Sequence, residues 1–481
     1  MFNFYSSRMV FFLWVFSWVF SWVNAAIRRY QAWKYLLYGR EMIREKAAIA
    51  GDAPFSLPVF GFGGRMHIVS TAEHWDDLKK AHVGHLSMHY WVKEIFQPKY
   101  TLIDEWHDNR DEIGMPVVRA IRTITSRLFR HAPTIMRVFE RELRVKIQAY
   151  PTSEDYYKVA LADMAKWAMV KVNTLIILGE DTANDPEFIT RGFAYTKEMS
   201  MIGEIVRIVP AFFAPIVASV VKKRNLNQRY VLDTMMRLVE KRRDATNGLT
   251  KEALPEAETI LEALADQGPE LSTREVVHHI NIFWTTTTHS TGLVSVQFIK
   301  DIYTHTSLIP ALLEEIEAAP STPPTSTTAN DCLMEGVLME SMRLHCFQST
   351  AIHRKAISPF TFSDGYTIPA GQSVQFYQER VHLDENRYGQ STTFDPRRYK
   401  GSSRSVTDVG MEWPFWGAGR NACPGRFIFS YSVKIFASFL LKNYDCELPT
   451  PRKNWTWGEN SIPDSRNLLL MRPKNVEKYH N

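Results

Sequence analysis

Trp416-Gly417-Ala418-Gly419-Arg420-Asn421-Ala422-Cys423-Pro424-Gly425-Arg426 is the stretch on which the reading of this chain turns. A cysteine stands in a glycine-containing loop, and the run from Arg426 to Asn443 that follows has the length and periodicity of a helix. A helix N-terminus presents free N–H groups and a partial positive charge, which favour a thiolate over a thiol. The glycines let the backbone approach a flat ligand, the ring of Trp416 is placed to shield the sulfur, and Arg420 is placed to neutralise an acidic group on that ligand. The ordinary alternative is a buried cysteine in a tight turn, and on generic grounds it is the commoner case.

Working outward, the texture of the chain is helical from about residue 70 to residue 345. Arg119 to Ala149, Tyr157 to Leu178, Gln228 to Arg243 and Thr273 to His305 all carry apolar residues at three- and four-residue steps. Pro320 to Asn330 is a Pro/Ser/Thr linker, and Cys332 to Leu344 is a further helix. Phe360 to Gly371 reads as a hairpin around Ser363-Asp364-Gly365, with Val374 to Phe376 as another strand. The fold class is therefore mostly α, formally α+β, with a small β-sheet region. Within Cys332–Leu344, Glu340 and Arg343 share one helix face at i,i+3 spacing, which alone means no more than a surface ion pair.

Taken together, these segments resemble the cytochrome P450 family, and most nearly its fungal branch that tailors terpenoid, indole-diterpene or polyketide skeletons. The loop resembles the fungal pattern Phe-Gly-x-Gly-Arg-His-x-Cys-Pro-Gly-Arg, with Trp416 in place of the phenylalanine and Asn421 in place of the basic residue. The resemblance implies the family fold over about residues 55 to 475, with haem b (iron protoporphyrin IX) as cofactor and Cys423 as the metal ligand. It implies that Arg398, in Phe394-Asp395-Pro396-Arg397-Arg398-Tyr399, completes a cluster with Glu340 and Arg343. It makes Arg354 and Arg119, beside Arg420, candidates for the haem carboxylates. It places Thr286-Thr287-Thr288-His289-Ser290-Thr291 at a kink in the oxygen-side helix, with His289, Ser290 and Thr291 as catalytic candidates for proton delivery. Thr287 there replaces the glycine or alanine usual beside the oxygen groove.

The implied activity is that of a monooxygenase oxidising a hydrophobic small molecule, with electrons from an NADPH-cytochrome P450 reductase docking on Arg420, Arg426 and Lys434. Two rivals stand beside it: a haem-thiolate isomerase or dehydratase that needs no reductase, and a non-catalytic haem binder.

Met9 to Ile27 is almost wholly apolar and about the length that spans a bilayer. Arg28, Arg29, Lys34, Arg40 and Arg44 follow it, whereas only Arg8 precedes it closely. The positive-inside rule then puts the remainder in the cytosol. The expected organisation is a membrane anchor over residues 1–30, a linker over 31–54 and a catalytic domain over 55–481. A single-pass anchor in the endoplasmic reticulum membrane follows. A cleaved signal peptide ending near Ala25 is the alternative. Ile205 to Val221, patchily apolar, reads as core or as a surface that dips into lipid.

The net charge of +5 on 481 residues fits an anionic membrane or an acidic protein and is too weak to point to nucleic acid. Four cysteines without a Cys-x-x-Cys pair exclude a zinc ribbon or dithiol centre. His82, His85 and His89 form the one rival metal-binding pattern, since His85 and His89 would be i,i+4 on a helix.

Overall fold

A computed structural model describes residues 2–102, 115–210, 212–221, 226–250, 253–267, 271–318 and 332–474, with side chains from Val23 onward. The chain divides into two compact units: Met1–Ile95 with Gln348–Arg380 and Thr456–Asn460, and Phe96–Phe347 with Val381–Trp455 and Ser461–Asn481. The Pro320–Asn330 linker lies outside the described residues. So do the side chains of most of Met9–Ile27, the expected anchor. Among the described residues no helix is long and apolar enough to cross a membrane.

In the first unit, helix Phe2–Ala50 bends at Tyr38, where φ is −136°. Ala32, Tyr35, Leu36, Met42 and Ile43 recur on one face and are buried, the pattern of an amphipathic helix. Tyr35, Met42 and Ile43 pack with Leu57, Met66, Ile68 and Tyr377. Gly39 is required here, because a Cβ would stand 2.6 Å from the backbone of Gly458. Gly458 N–H donates to the Leu36 carbonyl at 2.7 Å. Residues 31–50, expected to be a linker, are thus part of a core. Arg40 and Arg44 are both held by Glu379.

A five-stranded sheet in the same unit has the order Phe55–Pro58, Arg65–Val69, Ser373–Phe376, Ala351–Ala356, Leu86–Ser87. The Arg65–Val69 and Ser373–Phe376 pair is parallel and the others are antiparallel. The expected hairpin is present as Phe360–Thr361 and Thr367–Ile368, turned by Gly365 at φ +88°.

The second unit is helical. Its spine is helix Thr273–Thr304, started by a capping box in which Ser272 and Glu275 each bond the other's backbone N–H. Helix Leu161–Leu178 packs along it, tied by the Trp284 indole donating to Thr174 Oγ1 at 2.9 Å. Helices Leu333–Leu344 and Arg426–Asn443 complete the core around the cysteine loop.

Two expectations shift. Tyr157 to Ala160 is not the start of a helix but the end of strand Tyr156–Ala160, which pairs antiparallel with Leu468–Pro473; pairing across the chain overrides local periodicity. Arg119 to Ala149 is not continuous. Helix Pro116–Thr125 gives way to a 3-10 turn at Leu128–His131, and Pro133 starts a new helix, Ala132–Val138.

Candidate active site

The cysteine loop is built from two 3-10 turns, Pro414–Trp416 and Gly419–Asn421. They are joined through Gly417 at φ +77° and Gly419 at φ +58°, values that glycine adopts without strain. Cys423 N–H donates to the Trp416 carbonyl at 2.7 Å, closing the loop. Burial pushes the Cys423 thiol up, whereas the N–H groups of Gly425 and Arg426 and the charge of Arg426 favour its thiolate. The helix-terminus argument from sequence therefore has its donors in place beside the sulfur.

Gly425 matters for a second reason. A Cβ there would lie 3.3 Å from the ring of Phe283 and 3.9 Å from the Cys423 sulfur. Phe283 belongs to helix Thr273–Thr304, so sulfur and helix meet across a glycine that keeps the approach open.

In the middle of that helix, between Ile280 and Ser295, the accessible residues are Ile282, Phe283, Thr286, His289, Ser290 and Val294, which fall on one face at a period of 3.6. Ser290 Oγ donates to the Thr286 carbonyl at 2.9 Å. Thr291 is on another face: it is 1% exposed, accepts from Asn173 Nδ2 at 3.0 Å and donates to the Thr287 carbonyl at 2.7 Å. Thr287 is itself buried. The helix runs unbroken as α-helix through the expected kink. The structure thus brings Thr286, His289 and Ser290 together and separates Thr291 from them. Thr286, which the sequence reading did not single out, owes its place to standing four residues before Ser290.

His289 presents accessible surface, yet enough protein surrounds it that desolvation holds its imidazole below the usual range, aided by the positive charge of Lys166. Lys166 comes from helix Leu161–Leu178, where its Cγ would meet a Cβ on Gly292 at 3.0 Å.

The Glu340 cluster is complete. Arg343 bonds Glu340 through Nε at 2.8 Å and Nη2 at 2.6 Å, and Arg398 Nε reaches Glu340 Oε1 at 3.0 Å. Tyr399 Oη at 3.1 Å and the Asp395 N–H at 3.1 Å saturate the carboxylate. Arg343 also donates to the carbonyls of His382 and Ser391. The spacing seen in the sequence as a surface pair is a buried node between helix and loops.

The remaining candidates disperse. Arg119 donates to Gln267 at 3.2 Å and lines a cleft with Arg127, Glu256 and Asp266. On the same helix Arg122 stands within electrostatic reach of Arg426 in the cysteine loop, where its charge adds to desolvation in lowering the Arg426 pKa. Arg354 is buried on a central strand of the first unit. Arg420 is exposed. Of the expected docking cations, Lys434 is buried in an ion pair with Glu335 at 2.8 Å, and Arg426 is spent on the carbonyls of Thr407 and Cys423. His85 and His89 do not share a helix: strand Leu86–Ser87 separates His85 from helix Met88–Phe96. Among the described residues no group of three His, Cys, Asp or Glu side chains is placed to hold a metal ion. A single cysteine sulfur at a helix terminus, half-buried and close to the ring of Phe283, fits a haem, whose iron Cys423 would hold.

The sequence profile described as Cytochrome P450 matches residues 67–477. Similar curated proteins include cytochrome P450 monooxygenase CYP512U6 of Ganoderma lucidum, 22% identical over 91% of this chain and 85% of its own length. Cytochrome P450 monooxygenase ltmQ of Epichloe festucae var. lolii is 22% identical over 94% and 90%. Cytochrome P450 monooxygenase ausG of Emericella nidulans is 29% identical over 61% and 58%. Among solved structures, retinoic acid-bound cyanobacterial CYP120A1 superposes with a TM-score of 0.67 at 17% identity, over 92% of this chain and 97% of the other. With a profile that spans most of the chain and a mostly helical fold to match, this chain belongs to the cytochrome P450 family and is a haem b-dependent monooxygenase.

Proposed function

We propose that this monooxygenase oxidises a hydrophobic small molecule of fungal secondary metabolism, of the terpenoid, indole-diterpene or polyketide kind, with Cys423 as the axial ligand of the haem iron. The observation that carries the reading is the close approach of the cysteine loop to the long helix, where a Cβ on Gly425 would lie 3.3 Å from the ring of Phe283 and 3.9 Å from the Cys423 sulfur. The bound haem would supply the oxygen-activating chemistry. The chain's own part is to hold the sulfur, to exclude water with the apolar residues Ile282, Phe283 and Val294, and to offer the Ser290 hydroxyl as a proton carrier. His289, neutral at ordinary pH, is placed on the same face to take part in that proton traffic. Oxidation of a greasy substrate accords with fungal monooxygenases among the relatives and with a structural neighbour that holds retinoic acid. Rearrangement without a reductase is not favoured, since the relatives are consistently named monooxygenases.

Electrons would come from an NADPH-cytochrome P450 reductase, with the exposed Arg122 and Arg420 as docking cations in place of Arg426 and Lys434. We place the protein at the endoplasmic reticulum membrane through residues 1–30, with the domain over 55–481 in the cytosol. Phe212, Phe213, Ile216 and Val220, all exposed beside the buried Ala214 and Ala218, support a lipid-facing surface on helix Ala214–Val221 and the turn before it.

The test is the carbon monoxide difference spectrum of the reduced protein, wild type against Cys423→Ala. A red-shifted Soret band in wild type that is lost in the variant supports thiolate ligation at Cys423. The same band in both proteins sinks it. Turnover that requires both NADPH-reductase and oxygen then separates oxidation from rearrangement.

A further inference from the structure

Residues Ser405, Val406 and Thr407 form a short strap that the family resemblance did not single out; beside local bonds to Asp408 and between Ser405 and Thr407, it reaches the cysteine loop and one buried carboxylate. Glu335, 1% exposed on helix Leu333–Leu344, accepts from the Val406 N–H at 2.7 Å and from Ser405 Oγ at 3.0 Å through the same oxygen. Its other oxygen meets Lys434 Nζ at 2.8 Å, and Lys434 is 5% exposed on helix Arg426–Asn443. The Val406 carbonyl in turn accepts two indole N–H groups, from Trp413 at 2.9 Å and from Trp416. The Thr407 carbonyl accepts from Arg426 Nε at 2.9 Å, and Arg426 Nη1 donates to the Cys423 carbonyl at 2.8 Å.

The strap therefore holds the loop at both ends, at Trp416 seven residues before the cysteine and at Arg426 three residues after it. The contact at Trp416 also explains what the tryptophan does that a phenylalanine would not. Its N–H is drawn to Val406 rather than to the sulfur, while its ring packs edge-on to Phe429 at 5.1 Å. A carboxylate fixed by a buried ammonium and two further donors has one geometry. Whatever hangs on it inherits that geometry.

We propose that Glu335 is a positioning residue for the Cys423 sulfur, acting through the Ser405–Thr407 strap. It rests on Cys423 being the iron ligand. Glu335→Gln keeps the shape but leaves Lys434 as an uncompensated buried charge, and it weakens the hold on Val406. The thiolate should then be lost from the iron more readily than the fold is lost.

The experiment uses the holoprotein and follows the red-shifted ferrous–carbon monoxide band on stepwise heating, beside the far-ultraviolet dichroism of the same samples. Wild type, Glu335→Gln, Lys434→Gln and Lys171→Met are compared. The last removes another buried lysine from its ion pair, with the half-buried Glu142, that has no bond to the strap. In Glu335→Gln and Lys434→Gln the red-shifted band should convert to the blue-shifted, thiolate-detached form about tenfold faster than in wild type while dichroism persists. In Lys171→Met the two signals should fall together. The proposal is overturned if the Glu335 and Lys434 variants keep the band until they unfold, or if Lys171→Met loses it just as early. Absence of the band from wild type would instead refute Cys423 as ligand.

Discussion

The cysteine loop and the middle of helix Thr273–Thr304 face one another across the candidate site, and they are held in opposite ways. Around the loop, the polar groups described above are engaged, often twice: one Val406 carbonyl takes two indoles, and Glu340 takes two guanidinium groups, a phenol and a backbone N–H. On the accessible face of the helix, the Ser290 hydroxyl has, among the described residues, carbonyls of its own helix for partners. A ligand that must stay on a metal calls for a site fixed from several directions, whereas a hydroxyl that must pass protons has to be able to turn. The neighbour of Ser290 shows the contrast within one residue step, because Thr291 is buried and committed to Asn173 and Thr287.

The widest gap between the two regions should appear in Glu340→Ala. It leaves Arg343, 1% exposed, without its carboxylate, a loss of about 3–5 kcal/mol. Denaturant unfolding and haem content of the purified variant are the readouts. A stable, fully loaded variant would show that the cluster is ornamental and the contrast false.

Next comes Ser290→Ala. It should lower product formation by about a hundredfold and raise the share of reducing equivalents lost to peroxide, with the melting temperature unmoved. Substrate turnover measured against NADPH consumption decides this, and unchanged coupling would return the proton role to Thr286 or His289.

Thr291→Val should do the reverse. It strands the buried Asn173 amide at a cost of about 1–2 kcal/mol and leaves turnover within about twofold of wild type. If Thr291→Val cripples coupling while Ser290→Ala does not, the two faces of the helix have been assigned the wrong way round.

The smallest effect belongs to His289. Its folded-state pKa lies below the ordinary value, so on acidification the unfolded chain takes up this proton first. Stability is then fully present above about pH 6.5 and falls as the pH drops toward the folded-state value. His67 and His131 are shifted in the same direction and share the slope. Melting temperatures of wild type and His289→Gln should agree near neutrality and separate below it, with the variant losing less. Parallel curves would mean that His289 titrates normally.

Much of this was legible beforehand. Helix Arg426–Asn443 and helix Thr273–Thr304 came out within a residue of the expected ends, because long periodic runs with clear terminal signals state their own boundaries. Glu340, Arg343 and Arg398 were legible as a set only through resemblance, since an i,i+3 pair says nothing about a third residue more than fifty positions away. That residues 31–50, within the expected 31–54 linker, pack as a helix was not legible, because the carboxylate that holds Arg40 and Arg44, Glu379, is more than three hundred residues distant.

The sequence by itself determined what chemistry is on offer: one cysteine at a helix start, hydroxyls inside a long apolar helix, and a basic, aromatic N-terminal run. Those are properties of residue type and local spacing, which a chain carries before it folds. Only the tertiary structure decided which of two adjacent hydroxyls is accessible, and that the indole of Trp416 bonds a carbonyl instead of the sulfur. It also decided that Lys434 neutralises Glu335 and so is withdrawn from the surface. Each of these depends on the rotation of one element against another, which is fixed by the shapes of side chains far apart in sequence and not by any pattern within a single segment.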